Sequence, residues 1–390
     1  MSEIDSFRAE ARQWLEANCP PSMREPIRTD EDMVWGGSRV SFNSDDQRVW
    51  FERMRDRGWF VPGWPTAYGG GGLGPREQQA LGEEMRSLGC RQPQYNLGIW
   101  MLGPVLLEFG TGEQKQEHLV PMARGEVRWC QGFSEPNAGS DLASLKTAAV
   151  REGDDFIVTG QKIWTSQGDK ADWMYALVRT DPHAKKQQGI SFILIDMKTP
   201  GVSVRPIELI SGRSEFCQVF FDAVRVPARQ VIGGINQGWG VAKKLLEHER
   251  AAMAKFTEGG APTLDALAIA TPYLAAAGPV WRERLAAALM DQQAFSLTSR
   301  RLREMALARE DVSALGAIMK LVQTEQEVAK YELLQQLMGQ QGLALEGDGF
   351  TADELAVCRL WLYSKSYTIA GGSSEIQLNI IARRVLGLPT

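Results

Sequence analysis

The chain has few residues that bind metals, and it lacks the spacings that form structural metal or disulfide sites. Its five cysteines are far apart with no Cys-x-x-Cys pair, and none of its three histidines belongs to a His-Glu-x-x-His arrangement. These absences exclude the common zinc sites and a disulfide-dense fold. We therefore expect reduced thiols and no metal site.

Long apolar runs and a large excess of one charge are also missing. Eighteen apolar residues nowhere follow one another, and the formal net charge is -5 at pH 7. The sequence therefore predicts no transmembrane helix and no basic footprint for nucleic acid or an anionic membrane. The first twenty residues carry acids in an amphipathic pattern, unlike a signal or transit peptide. We expect a cytoplasmic protein.

The sequence does contain a helical region, a β-rich region and a second helical region. At 390 residues it is too long for one compact core. Short β-branched and aromatic runs lie between Trp129 and Gly234, and helical periodicity precedes and follows them. We predict an α+β fold with an N-terminal α-helical domain (1–125), a central antiparallel β domain (126–235) and a C-terminal helical bundle (236–390). The predicted strands are 155–160, 173–179, 190–196, 202–207 and 218–227.

Two segments of the β region carry the strongest functional signal. The first reads "WCQGFSEPNAGSDLASLKT", and the second reads "FIVTGQKIWTSQGDKADW". Small residues let a loop backbone approach a ligand closely and donate N–H groups to its oxygens, although a β-turn before a capped helix would look similar. Together the segments resemble the acyl-CoA dehydrogenase family, whose signature is an E-P-x-A-G-S-D loop followed by a G-x-K-x-W strand. The resemblance extends from "RGWFVPGWPTAYGG" to the closing "SSEIQLNIIARRVLGLP".

The resemblance implies a three-domain flavoenzyme subunit. It implies a β-barrel-like central domain, a C-terminal four-helix bundle, and FAD bound where the domains meet. The substrate would be an acyl-CoA, and the electron acceptor an electron-transfer flavoprotein. We expect a homo-oligomer, a homotetramer built as a dimer of dimers, with pairing to a related subunit as the alternative. The implied FAD-binding residues are Phe133, Ser134, Gly139, Ser140, Trp164, Thr165, Ser166, Gln336, Gly339, Ser373 and Glu375, and the implied substrate-binding residues are Ser140, Arg250 and Gly372.

Two of these positions carry specific expectations. Ser166 stands where the family usually has threonine near flavin N5, and serine keeps the hydroxyl group. Trp164 matches the aromatic residue that lies along the isoalloxazine ring. The alternative for Trp164 is an ordinary tryptophan buried in a β core.

The catalytic base is not where the family usually has it. In the closing segment the family has a glutamate at the position of Gly371. Some members instead supply the base from an earlier helix, immediately before an arginine, and Glu249 followed by Arg250 matches that arrangement. Glu249 lies on the stripe formed by Trp239, Ala242, Leu246, Met253 and Phe256, which is spaced like the buried face of a helix. A salt bridge to Arg250 is the alternative role for this glutamate.

The sequence departs from the family in the C-terminal region. The Arg-x-x-Phe-Gly string that reaches FAD across a subunit interface is absent, and Arg282 and Arg284 are either substitutes or part of a solvated helix face. Gln340 replaces the second glycine of a usual Gly-Gly pair. Ser374 and Gln377 have the spacing of a capping box, and Glu375 fits the positive end of a helix dipole.

The sequence allows alternatives for the shape of the acyl group and for the function of the protein. A glycine at position 371 leaves room that favours a branched or bulky acyl group, although glycine can also simply tighten a turn. The rival functions are an acyl-CoA oxidase of the same fold and a catalytically silent subunit of a mixed oligomer.

Overall fold

The computed structural model describes residues 3–27, 30–256, 264–308 and 310–389. The chain divides into two compact units. The first comprises Met1–Ile207 and Glu215–Pro262, and the second comprises Glu208–Ser214 and Thr263–Thr390. Helices flank a central sheet along the chain, which confirms the predicted fold class.

The N-terminal helices of the first unit are α1 (Glu3–Asn18), α2 (Asp45–Asp56), α3 (Pro75–Ser87), α4 (Gly103–Phe109) and α5 (Gly112–Ala123). Two of the N-terminal helices, α2 and α5, begin at residues whose side chains satisfy free N–H groups. The Ser44 hydroxyl accepts a hydrogen bond from the Gln47 N–H at 3.2 Å, and Thr111 forms a reciprocal capping box with Gln114. The fully buried Leu15 belongs to a core cluster shared by α1, α2 and α3, whereas α4 and α5 pack into the cluster of the central sheet.

The central sheet contains all five predicted strands. Its strands are β1 (Trp129–Gly132), β2 (Ala148–Glu152), β3 (Asp155–Ser166), β4 (Trp173–Arg179), β5 (Ile190–Asp196), β6 (Val202–Ile207), β7 (Phe216–Pro227) and β8 (Val231–Ile232). The spatial order is β6-β7-β3-β2-β4-β5-β8, with β1 paired to β4. Pairing is mostly antiparallel, but β1 runs parallel to β4, and β2 meets β4 in a parallel contact. The sheet therefore combines parallel and antiparallel pairing next to β1. This strand directly precedes residues 133–147, which we call the signature loop.

The helix that follows the sheet is α6 (Gly238–Phe256). Its buried residues Val241, Ala242 and Leu245 pack into the same core cluster as Leu102 and Phe192. The prediction placed Ala242 on the buried face, and its burial is confirmed. The sequence pattern had missed Val241 and Leu245, whereas Trp239 and Leu246 are only partly buried. The side chains of Met253 and Phe256 lie outside the described residues.

The second unit is a helical assembly with its own core. Leu285, Leu334 and Val357 are buried there and belong to one cluster. No described helix is long and apolar enough to cross a membrane. The helices of this unit are α7 (Ala266–Leu274), α8 (Pro279–Leu307), α9 (Ser313–Met338), α10 (Ala352–Ser364) and α11 (Ser374–Ile380).

Candidate functional site

The two signature segments meet at a buried ion pair between Glu135 and Lys162. The Lys162 side chain is buried, and its ammonium donates a hydrogen bond to the Glu135 carboxylate at 2.8 Å. It also donates to the carbonyl oxygens of Phe133 at 3.2 Å and Leu177 at 2.7 Å. Three acceptors thus match the three protons of the ammonium. The loop after β1 is in this way tied to β3 and β4.

The Glu135 carboxylate also orders the far side of this loop. Its two oxygens accept hydrogen bonds from the N–H groups of Lys146 at 2.6 Å and Thr147 at 2.9 Å. Burial raises the pKa of Glu135, but the Lys162 charge and the hydrogen bonds outweigh it and hold the pKa below its ordinary value. Burial lowers the pKa of Lys162 to about 8. Both groups are therefore ionised at neutral pH.

Trp164 lies at a bulge in β3, where the register with β7 shifts between Lys162 and Thr165. Its backbone φ is 59°, a left-handed conformation that costs a non-glycine residue roughly 1–2 kcal/mol. Its side chain is 53% exposed, with the ring 6.1 Å from that of Phe216. The alternative of an ordinary core tryptophan is therefore wrong. Strained backbone that holds a large apolar ring at the surface is typical of a ligand site.

The two residues after Trp164 carry hydroxyl groups, and the third, Gln167, again has a left-handed backbone. Thr165 is fully buried, and its Oγ1 has no hydrogen-bond partner. Ser166 is half-buried and pairs with Phe216 at the end of β3. Gln167 is also left-handed, with a φ of 55°, and its side chain accepts a hydrogen bond from Arg128 at 3.1 Å.

The signature loop lies directly against this part of β3. The Ser134 carbonyl oxygen accepts a hydrogen bond from the Ile163 N–H at 2.9 Å. The Phe133 ring is buried in the core, and its carbonyl oxygen accepts the hydrogen bond from Lys162. Gly139 and Ser140 are exposed, and a Cβ at Gly139 would meet nothing within 4 Å. The first unit therefore brings the predicted residues of the loop and of β3 together.

The position of the predicted base is only partly described. Glu249 and Arg250 lie in α6, but their side chains are outside the described residues. The preceding His248 is half-buried, and its Nε2 has no hydrogen-bond partner. Burial and the nearby Lys244 charge lower the pKa of His248, so its imidazole is neutral at pH 7.

An open hollow of about 460 Å³ lies at the start of α6. Asn236 forms part of its wall with a φ of 63°, and its side chain accepts a hydrogen bond from the Thr180 hydroxyl at 2.5 Å. The hollow is large enough for a small organic group, and its lining combines four amide side chains with the Trp239 ring. Its lining residues are Gln187, Gln188, Asn236, Gln237, Trp239 and Gly240.

In the second unit, Lys320 of α9 binds the loop between α10 and α11 (residues 365–373), which we call the closing loop. The Lys320 ammonium donates to the carbonyl oxygens of Tyr367 at 3.1 Å and Gly372 at 2.7 Å. Gly371 and Gly372 both have left-handed φ values, 65° and 93°, which only glycine adopts without strain. Position 371 is thus a tight turn, as the alternative interpretation held. Sequence reasoning missed Lys320, because a backbone carbonyl partner leaves no trace in the residue letters.

The predicted capping box at Ser374 is wrong. The N-cap of α11 is Ser373, whose hydroxyl accepts from the Ile376 N–H at 3.4 Å. Ser374 instead donates to Glu325 at 2.5 Å. The error is one residue, because two adjacent serines offer the same capping chemistry. Glu375 is exposed in the first turn, and hydrogen bonds from its own N–H and from Ser373 lower its pKa.

Two other predicted cofactor positions lie away from the closing loop. Gln336 is sixteen residues beyond Lys320 on α9, about 24 Å along a helix axis. It accepts a hydrogen bond from Arg284 at 3.0 Å, and Arg284 lies over the Trp281 ring at 4.7 Å. Gly339 follows with a φ of 60°. Within the second unit, the closing loop and the end of α9 are therefore separate sites.

Three family models match the chain in order. They are "Acyl-CoA dehydrogenase, N-terminal domain" at residues 1–126, "Acyl-CoA dehydrogenase, middle domain" at 130–224, and "Acyl-CoA dehydrogenase, C-terminal domain" at 236–386. The chain is 36% identical to acyl-CoA dehydrogenase IpdE1 of Mycolicibacterium smegmatis, over 100% of this chain and 99% of that protein. It is 39% identical to acyl-CoA dehydrogenase FadE34 of Mycobacterium tuberculosis over 86% of this chain, but it spans only 45% of that protein.

Solved structures with the same fold agree with these matches. The "Tcur3481-Tcur3483 steroid ACAD" superimposes with a TM-score of 0.78 at 30% identity, covering 99% of this chain and 97% of that chain. The ChsE4-ChsE5 complex from Mycobacterium tuberculosis gives a TM-score of 0.76 at 28% identity, covering 100% of this chain and 98% of that chain. Both structures are named for two components.

Proposed function

Because the chain belongs to the acyl-CoA dehydrogenase family of oxidoreductases, we propose that it binds FAD and dehydrogenates an acyl-CoA thioester. The product is the trans-2-enoyl-CoA, and the electrons pass to an electron-transfer flavoprotein. The observation that carries this proposal is the strained and exposed Trp164 beside the loop that Glu135 and Lys162 hold.

The residues of the first unit fit a flat aromatic cofactor with a phosphate tail. Trp164 offers an exposed ring for contact with a planar group. The open space beside Gly139 lets the backbone approach a phosphate, and Ser140 adds a hydroxyl donor. Ser134 and Ser166 supply further hydroxyls where the loop meets β3. When bound, FAD supplies the acceptor for the hydride that leaves the β carbon.

We assign the base to Glu249. The buried positions Gly238, Val241, Ala242 and Leu245 of α6 form one face, and helical periodicity continues that face to position 249. A carboxylate there removes the α proton of the thioester if its oxygen comes within about 3 Å of that proton. Arg250 and Gly372 are assigned to the substrate side.

The experiment that tests this assignment is Glu249→Gln. The amide keeps the shape of the side chain but removes the basic oxygen, so the variant should retain FAD and its unfolding midpoint. Bleaching of the flavin by substrate should slow by roughly 10²- to 10⁴-fold. Glu247→Gln is the matched control, because Glu247 lies on the same helix in a surface ion pair with Lys244 at 3.3 Å.

The outcomes of this experiment separate three possibilities. Wild-type bleaching in Glu249→Gln would place the base elsewhere, and Glu375 would be tested next. A wild-type protein that does not bind FAD would favour a silent subunit. A protein that binds FAD and turns over rapidly in air, without an added acceptor, would be an oxidase.

We propose a bulky or branched acyl group as the substrate. Gly371 stands where the family pattern has a glutamate, so that side chain is missing here, and one structural relative is named a steroid ACAD. A panel of acyl-CoA thioesters scored by kcat/KM tests this proposal. Thioesters of ring-bearing or methyl-branched acids should be preferred, whereas a preference for unbranched short or medium chains would refute it. We further propose a cytoplasmic location.

A further inference from the structure

Two cysteines of the first unit meet beneath the end of α1. Cys19 follows directly after the last residue of α1 and is 3% exposed, whereas Cys90 lies three residues beyond the end of α3 and is half-buried. Cys90 packs against the core cluster that contains Cys19 and Met23, and the Cys19 thiol donates to the Pro20 carbonyl oxygen at 3.8 Å. Both thiols are free. The two residues are 71 positions apart in the sequence. The fold, rather than local sequence, brings them together.

Backbone contacts fix this meeting point. The Arg91 N–H donates to the Met23 carbonyl oxygen at 2.9 Å. A Cβ on Gly89 would stand 2.7 Å from the Arg24 carbonyl oxygen, and Gly89 has a φ of 70°. The segment around Cys90 therefore lies side by side with Met23 and Arg24.

The Arg24 guanidinium places a positive charge beside the two thiols. Its Nη2 donates to the carbonyl oxygens of Glu16 at 2.7 Å and Cys19 at 3.0 Å. Its Nε is buried and has no hydrogen-bond partner, so this N–H remains available to a sulfur anion. A cation held in this position favours the thiolate, which is the nucleophilic form of cysteine.

The two sulfurs differ in their acidity. The neighbouring Cys90 thiol lowers the pKa of Cys19, burial opposes this, and Arg24 lowers it further. The neighbouring Cys19 thiol and burial together raise the pKa of Cys90. Because the Arg24 guanidinium contacts Cys19 itself, Cys19 is the thiol placed to attack the oxidant, and Cys90 is the thiol that reacts in the second step. By contrast, burial raises the pKa of Cys358, which belongs to the second unit.

We propose that Cys19 and Cys90 form a redox-active pair that a hydroperoxide converts to a disulfide. The Cys19 thiolate attacks the terminal oxygen of the hydroperoxide, so an S–O bond forms, the O–O bond breaks and an alcohol or water leaves after taking up a proton. The Cys90 sulfur then attacks the sulfenic acid, the S–O bond breaks, and water leaves with the Cys90 proton. Two thiols lose two electrons and two protons in total, and one hydroperoxide is reduced. The half-buried Cys90 gives a small oxidant its route to the pair.

The test uses the full-length protein treated with hydrogen peroxide and then blocked with N-ethylmaleimide. Peptide mass mapping should find a linked pair of peptides containing Cys19 and Cys90, with the loss of two hydrogens, and dithiothreitol should reverse the linkage. The oxidised protein should unfold at a higher temperature, because the new bond closes a long loop of the unfolded chain. A peptide map in which both thiols are alkylated after oxidation would overturn the proposal.

Variants make the test specific. Cys90→Ser should stop the linkage and leave a sulfenic acid at Cys19 that dimedone traps, whereas Cys358→Ser should oxidise like the wild type. Arg24→Met should slow linkage at least tenfold at neutral pH, with the difference shrinking at alkaline pH, where the thiolate forms without help. An unchanged rate in Arg24→Met, or dimedone labelling at Cys90 in place of Cys19, would contradict the assigned roles. Labelling of the wild-type pair needs no variant to fold, so the proposal remains testable if one does not.

Discussion

At the scale of single residues, the structure is most unusual at Trp164. A tryptophan in a strand normally buries its ring and has an extended backbone, whereas this one does neither. Both departures cost free energy, and the fold retains them where the signature loop meets β3. Such an outlier supports a ligand contact at that position more directly than the sequence match does.

Comparing glycine with alanine at position 164 measures the backbone strain. Trp164→Ala keeps the left-handed strain and removes the ring, whereas Trp164→Gly removes both. We expect Trp164→Gly to be the more stable of the two by about 1 kcal/mol, measured by urea unfolding of the FAD-free proteins. Both variants should bind FAD more weakly than the wild type.

Val150 provides the matched control for this comparison. It is 65% exposed on β2, which pairs with β3, and it is not among the residues with a positive φ. There the order should reverse, with Val150→Gly less stable than Val150→Ala by about 0.5–1 kcal/mol. The same order at both positions would mean that the Trp164 backbone is not strained.

At the scale of elements, Glu135 and Lys162 connect a loop to the sheet. Lys162→Met leaves a buried carboxylate without its partner and should lower the free energy of unfolding by about 3–5 kcal/mol. The double variant Glu135→Gln/Lys162→Met should be less destabilised than the sum of the two single variants, by about 1–3 kcal/mol. Urea unfolding of all four proteins gives this coupling energy.

The surface pair between Arg225 and Glu152 is the control for this cycle. It joins β7 to β2 on the same sheet, but both side chains are more than half exposed. Arg225→Met should therefore change the free energy of unfolding far less than Lys162→Met does. A coupling energy near zero for the buried pair would show that the loop is held by other contacts.

The same pair predicts how stability depends on pH. The pKa of Glu135 is lower in the folded protein than in the unfolded chain, so the unfolded state binds the proton first as acid is added. Its stabilising contribution is complete above the unfolded pKa and is lost as the pH falls through the folded pKa. The wild type should therefore lose more stability on acidification than Glu135→Gln does.

The elements were predictable where the local pattern was long and regular. Runs of β-branched and aromatic residues placed β4, β5 and β6 at their observed bounds. β1, β2 and β8 were missed because they are only four, five and two residues long. The pairing of Glu135 with Lys162 was also missed, although both letters stand in the signatures, because partners 27 positions apart have no local spacing rule. The exact start of α11 was not predictable, because the adjacent Ser373 and Ser374 can both cap a helix.

At the scale of the whole molecule, we predict the oligomeric state. The Arg-x-x-Phe-Gly string is absent from the sequence, and a structural neighbour, ChsE4-ChsE5, is described as a complex. We expect the protein expressed alone to form a homotetramer of 43.2 kDa chains that binds FAD. Light scattering after size-exclusion chromatography gives the mass, and the flavin absorbance gives the cofactor content.

A different result in that experiment would point to a partner. A monomer or dimer without flavin that gains both mass and flavin on co-expression with a related subunit would contradict the homotetramer. A homotetramer that binds FAD but remains inactive with every thioester would instead support the silent-subunit alternative.

The ion pair beneath the signature loop also bears on the order of events when the protein is made. Lys162 and Glu135 satisfy their hydrogen bonds with groups of the chain itself, so the loop has its shape before any cofactor arrives. A preformed loop loses little conformational entropy when it captures a ligand. Under the proposed function, this loop therefore has its shape before flavin binds, and flavin is not needed to order it.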